Sequence, residues 1–260
     1  MKINVNGIKI NYLDEGAGEP LILIHGMSDN SNLWLTFIPY LFSDFRVFAI
    51  DLRGHGQSSK PPQGYSLEIF NQDLVDFLDN MKLEKVNLIG HSLGAAICQE
   101  FALKNSERVK KLILLSPFFY VDEILFHALS GLKKALIEEG YYKFFDEAVK
   151  LVNTPDFIVK NVEIIEQIKM ESQRTNPPEI IEEIINACLM VDMSDEISNI
   201  SPETLIITGS EDNMIPMSQS QMIHEQIKNS ELVIMKGVGH NLFVSENLER
   251  LSTVILKFLG

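Results

Sequence analysis

The stretch Val86-Asn87-Leu88-Ile89-Gly90-His91-Ser92-Leu93-Gly94-Ala95 decides the fold. Its apolar run, residues 86–89, has the length and bulk of a buried strand, and a helical pattern opens at Ala95. The chain must therefore leave a strand, turn and enter a helix within a few residues. Glycines on both sides of Ser92 permit that turn without Cβ clashes. The serine is then pushed out at the carboxyl end of a strand, with a helix N-terminus beside it. Gly-x-Ser-x-Gly alone is a weak pattern. Set between strand and helix, it marks an exposed nucleophile.

Working outward, apolar runs at residues 21–24, 47–50, 112–115, 205–207 and 232–235 also read as buried strands. Helical patterns lie between them near 34–42, 67–81, 95–103, 217–227 and 248–258. This alternation predicts an α/β protein, with a mostly parallel twisted central sheet and helices on both faces. Residues 2–7 alternate and then turn at Asn6-Gly7, which predicts a hairpin adding antiparallel strands at one edge.

One connection breaks the rhythm. Residues 116–203 read as several amphipathic helices, near 122–138, 141–152, 155–170 and 178–190, with Pro155, Pro177 and Pro178 as start signals. Ile158, Val162, Ile165 and Ile168 recur at helical spacing, as do Ile181, Ile184, Ile185 and Cys188, and both stripes read as packing faces. The expected organisation is a core of 1–115 and 204–260, with 116–203 inserted as a helical cap or lid.

A chain of 260 residues is long enough for such a domain with its insertion. A net charge of −14 argues against nucleic acid or an anionic membrane as a partner. No apolar stretch approaches the ~18 residues of a spanning helix. The N-terminus lacks the apolar core of a signal peptide, so a cytoplasmic location is expected. Cys98 and Cys188 stand in no metal or CxxC pattern and read as buried structural thiols. No cluster of residues implies a metal or an organic cofactor.

A serine hydroxyl needs a base, and the base needs an orienting partner. Asp212 follows the run 205–207, at a strand's carboxyl end, where a carboxylate can fix an imidazole tautomer; Glu211 is the neighbouring alternative. His240 follows the last strand in Gly237-Val238-Gly239-His240. The other histidine beyond Asp212, His224, falls inside a helical pattern. Developing charge on a carbonyl oxygen requires waiting donors. The Leu93 N–H, next after the serine, is one. The Met27 N–H is the other, from His25-Gly26-Met27 after the run 21–24. His25 itself reads as a buried brace of that loop. The candidate substrate pocket comprises His25, Gly26, His91, Phe118, Phe119 and Phe243, with the Met27 side chain beside them.

The marks His25-Gly26, then Asp51-Leu52-Arg53-Gly54-His55-Gly56-Gln57-Ser58, then Gly90-His91-Ser92-Leu93-Gly94, then Asp212 and His240 run in order across nearly the whole chain. In them the chain resembles the α/β-hydrolase fold superfamily, in its capped, carboxylesterase-like serine hydrolase form. The resemblance implies a Ser92-Asp212-His240 triad. It also implies that Asp51, Arg53 and His55 stabilise a loop and are not catalytic. Epoxide hydrolases and haloalkane dehalogenases of this fold carry aspartate where Ser92 stands, which disfavours them here. Hydroxynitrile lyases share the triad. Peptidases that trim N-terminal proline usually carry Gly-Gly-Ser-Trp-Gly, whereas this chain has His91 and Leu93.

Residues 116–203 hold 17 acidic against 7 basic side chains, a net of −10, and such a field disfavours anionic substrates. The expected activity is hydrolysis of a small, uncharged or weakly polar carboxylic ester through an acyl-enzyme. Carbon–carbon bond hydrolase, lactonase, thioesterase and acyltransferase are alternatives with the same triad. A small-ligand receptor on the same fold is the alternative of another class.

Overall fold

The computed structural model describes residues 1–260. Its strands are β1 (Lys2–Val5), β2 (Ile8–Gly16), β3 (Glu19–Ile24), β4 (Phe45–Ile50), β5 (Val86–His91), β6 (Val109–Leu115), β7 (Glu203–Gly209) and β8 (Ser230–Met235). They form one sheet in the order β1-β2-β4-β3-β5-β6-β7-β8. The β1–β2 and β2–β4 pairs are antiparallel and all others are parallel. Asn6 and Gly7 both take positive φ, 42° and 77°, as the tight turn of the expected hairpin requires.

The central strands carry continuous apolar runs because both faces of the sheet are covered. Ile22, Ile24, Phe48, Ile50, Leu112 and Leu114 enter the larger core. Leu21, Leu23, Val47, Ala49, Ile113 and Leu115 enter the smaller one. Three helices, α1 (Leu67–Asn80), α2 (Leu93–Lys104) and, late in the chain, α8 (Met217–Gln226), cover the first face; α9 (Ser245–Leu259) covers the second.

The helix expected over 34–42 is absent. Two short 3₁₀ turns, Ser31–Trp34 and Ile38–Tyr40, stand there instead. Pro39 has no N–H to give an α-helix and crowds the preceding turn. The helical spacing of Trp34, Phe37, Ile38 and Leu41 reported burial in the smaller core, and the backbone met that demand without an α-helix.

Between β6 and β7 lie α3 (Glu123–Glu139), α4 (Tyr141–Val152), α5 (Pro155–Lys160), α6 (Val162–Ser172) and α7 (Pro178–Leu189). The single helix expected over 155–170 is two. Asn161 breaks it, with its side-chain amide donating to Phe157 O at 2.8 Å. Ile181, Ile184, Ile185 and Cys188 are buried in the larger core, as their spacing predicts. The other stripe is not a packing face: Val162 and Ile168 are 54% and 49% exposed, and neither α5 nor α6 buries any residue. Burial pushes the Cys98 thiol far up and the Cys188 thiol up to about 12, so both are inert core groups.

The outgoing and returning chains of this insertion pair with each other. Tyr120 and Asp192 form an antiparallel bridge, and Met193 N–H donates to Phe119 O at 2.8 Å. Gln99 of α2 donates to Phe118 O at 2.9 Å, and Gln219 of α8 donates to Tyr120 O at 3.2 Å. The root of the insertion is thus tied to two core helices. No helix is long and apolar enough to cross a membrane.

Candidate active site

Ser92 stands between β5 and α2 with φ 55° and ψ −115°. A side chain in that region costs about 1–3 kcal/mol, and the surroundings must hold it there. They do so from three directions. Ser92 N–H donates to Leu115 O of β6 at 2.9 Å. Ser92 O receives the N–H groups of Ala95 and Ala96 at 2.9 and 3.1 Å. The flanking glycines press backbone on backbone: a methyl on Gly90 would overlap the Gly94 carbonyl, and one on Gly94 would overlap Ile24 O.

The loop after β3 reaches the same point, for a Cβ on Gly26 would lie 3.2 Å from Ser92 Cβ. His25 Nδ1–H donates to Gly26 O at 2.7 Å, and His25 Nε2 accepts Leu52 N–H at 3.0 Å. In a trans peptide the carbonyl and the following N–H point in opposite directions. By holding Gly26 O, His25 therefore sets the direction of Met27 N–H. That N–H has no acceptor in the chain. Leu93 N–H heads α2, where a helix leaves its first donors unpaired.

The loop after β7 presents Asp212, whose side chain is fully buried. Its Oδ1 accepts the N–H groups of Met214 and Ile215 at 2.9 and 2.8 Å. Its Oδ2 lies 2.7 Å from His240 Nδ1. Glu211 is exposed and takes no part. The carboxylate fixes the tautomer with hydrogen on Nδ1, leaving the Nε2 lone pair of His240 free to act as a base. The His240 carbonyl is clamped by His91 Nε2–H at 3.2 Å and by Ser116 Oγ–H at 3.0 Å.

A family model described as the alpha/beta hydrolase fold matches residues 19–160, more than half of the chain. The chain belongs to the alpha/beta hydrolase family. A putative non-heme chloroperoxidase of Synechocystis sp. is 29% identical, over 97% of this chain and 95% of its own length. A 2-hydroxymuconate semialdehyde hydrolase of Pseudomonas sp. is 28% identical, over 98% of this chain and 91% of its own. Among solved structures, a thermophilic esterase from Thermogutta terrifontis superposes with a TM-score of 0.88 at 25% identity, covering 100% of this chain and 97% of that one. This alpha/beta hydrolase is an enzyme, as these relatives are.

Several pocket candidates take other places in this alpha/beta hydrolase. His25 is sealed, with both ring nitrogens bonded. His91 is buried beneath His240, with ring centroids 5.0 Å apart. Burial pushes its pKa down to about 3, so it is neutral. Phe243 packs edge-on against Trp34 at 4.8 Å, in the smaller core. These three are framework residues rather than pocket walls. His25 braces its loop as its neighbours suggest; for His91 and Phe243, sequence proximity to Ser92 and His240 does not reveal which side of the sheet a ring faces. Phe118 and Phe119 are buried in the larger core together with Leu93.

The other loop residues brace the site. Against the cost of burial, N–H bonds from Gln57 and Ser31 hold the Asp51 carboxyl below its usual range. Arg53 makes a two-pronged ion pair with Asp73, 2.6 Å on each side. Ser116 escaped the sequence reading. It is a plain serine at a strand end, and only its φ of 46° and its reach to His240 O set it apart.

Proposed function

We propose that this alpha/beta hydrolase is a capped serine hydrolase that cleaves small, uncharged carboxylic esters, with α3–α7 as the cap over Ser92. The observation that carries the reading is the buried Asp212–His240 pair, whose His240 carbonyl is held at 3.2 Å by His91, the residue before a serine at φ 55°. Ser92 Oγ attacks the ester carbonyl carbon while His240 Nε2 takes its proton. Leu93 and Met27 N–H groups receive the oxyanion. His240 then gives the proton to the departing alkoxide, which leaves an acyl-enzyme on Ser92. Water attacks that ester with His240 again as base, releasing the acid and restoring the serine.

The acidic insertion and the capture of Arg53 by Asp73 favour an uncharged substrate over a carboxylate. A second reading, carbon–carbon bond hydrolysis by the same triad, has the Pseudomonas relative's name in its favour. That name describes a substrate whose muconate carboxylate would meet the negative field, so the ester comes first. In the test, Ser92→Ala abolishes turnover of p-nitrophenyl acetate and butyrate and removes labelling by a fluorophosphonate probe. An active Ser92→Ala enzyme would overturn the assignment.

A further inference from the structure

The segment 154–175, which carries α5 and α6, is fastened at both ends to the loops on which the proposed reaction depends. At its start, Asn241 N–H, next to His240, donates to Val152 O at 2.8 Å, and Asn241 Nδ2 donates to Asn153 Oδ1 at 3.3 Å. Gly239 makes the seat, because a Cβ there would stand 3.1 Å from Val152 O. At its end, Asn176 donates from Nδ2 to Ser28 O at 3.1 Å, while holding Ser172 O at 3.0 Å. Asn176 is only 2% exposed. Between these anchors no residue is buried. The flank is held to α4 by Tyr141 OH with Ser172 Oγ at 2.6 Å and by Lys169 with Asp146 at 2.7 Å.

The Asn176 anchor falls on a particular peptide. Ser28 has φ 62°, a left-handed conformation that a Cβ disfavours, and its hydroxyl is buried without a partner. The Ser28–Asp29 peptide accepts from Asn176 at its carbonyl. At its other side, Asp29 N–H donates to Gly26 O at 3.4 Å. Gly26 O belongs to the peptide that carries Met27 N–H. The hydrogen bonds thus run in series: Asn176 Nδ2–H to Ser28 C=O, Asp29 N–H to Gly26 C=O, and from there to Met27 N–H. Bonds in series polarise one another, so a donor at the far end gains strength as well as direction.

We propose that Asn176 is a positioning residue for the oxyanion donor Met27 N–H. Seating of the α5–α6 strap then tightens this relay and the His240 loop together. The inference rests on the serine-hydrolase reading, with Met27 as donor. It makes the strap more than a cover: a substrate that orders the strap also completes the oxyanion site.

The test is steady-state hydrolysis of p-nitrophenyl acetate, an ester too small to need contacts with the strap. Outright loss of one oxyanion donor costs about 100–1000-fold in rate, and a donor left misaimed costs less, about tenfold or more. Asn176→Ala and Asn176→Asp are both expected to lower kcat by about that factor, with KM within about twofold, because neither side chain has an N–H to give. Affinity for a boronic acid, which forms a tetrahedral adduct on Ser92, falls by the same factor. A merely structural role would instead lower the melting temperature and leave kcat of the folded fraction intact. A wild-type enzyme that is active and labelled at Ser92, with Asn176 variants that keep kcat, overturns the inference alone. A wild type neither labelled nor active overturns the serine-hydrolase reading and the inference with it. Should the Asn176 variants not fold, Asn241→Asp loosens the other anchor. It loses the donor to Asn153 and keeps the oxygen that accepts Phe243 N–H. Wild-type kcat in that variant also overturns the coupling.

Discussion

Around Ser92 the backbone has no room. Its N–H, its carbonyl and both neighbouring glycines are engaged by β6, by the first turn of α2 and by the end of β3. Across α5 and α6 the chain buries no residue, and Val159 is 77% exposed. One region is held by close packing on every side, the other by a few polar ties at its ends and along one flank. The contrast fits the roles proposed for the two regions, nucleophile and cap. Reacting atoms lose large factors in rate when displaced by an ångström. A segment that admits substrate must open at low cost, so it is drawn from the least buried part of the molecule.

The sharpest way to break this comparison is to add one methyl group to the packed region. Gly94→Ala drives a Cβ into Ile24 O, and neither backbone can retreat. The expected loss is about 3 kcal/mol or more, read as a large fall in the urea midpoint or as failure to fold. A folded, wild-type-like Gly94→Ala would show that the elbow is looser than its contacts imply.

Next in size is the response to acid, which belongs to the packed region alone. His25, His55 and His91 are buried and neutral, with pKa values pushed below the ordinary 6.5, to about 3 for His55 and His91. Between those values the unfolded chain binds protons that the folded chain refuses. Stability is therefore complete above about pH 6.5 and declines as pH falls toward 3, by up to about 1.4 kcal/mol per pH unit for each group. Burial raises Asp29 to about 7 and also raises Asp73, and both act in the opposite sense, two groups against three. The urea midpoint is expected to be lower at pH 5 than at pH 7. A higher midpoint at pH 5 would mean that these rings are not buried neutral.

The smallest effect is expected in the strap. Ile164→Ser and Ile168→Ser alter side chains that are 54% and 49% exposed. Each should change stability by no more than about 0.5 kcal/mol. A panel of esters of rising acyl length should shift in preference more than in overall rate. Unfolding by either substitution would erase the distinction between the two regions.

Much of the fold was legible because its central strands are continuous apolar runs and the elbow has a local backbone requirement. The order Ser92, Asp212, His240 was legible because each follows a strand's carboxyl end. Misreadings came where spacing could not say what it reported. Trp34 to Leu41 carry helical spacing but fold as 3₁₀ turns around Pro39. Ile158 to Ile168 carry the same spacing, yet nothing packs over Val162 and Ile168. Phe243 sits three residues past His240 and faces the opposite core.

By itself, the sequence determined the sheet, the elbow and the residues that flank it, since strand burial, tight turns and glycine contacts are local demands written in consecutive residues. Only the tertiary structure decided which groups hold the candidate triad in place. The grip of Ser116 and His91 on His240 O, of His25 on Leu52 N–H, and of Asn176 on Ser28 O joins chain segments by single hydrogen bonds. Where such a bond spans distant segments it leaves no periodicity in the sequence, because its partners are chosen by how the strand ends and the inserted helices meet in space.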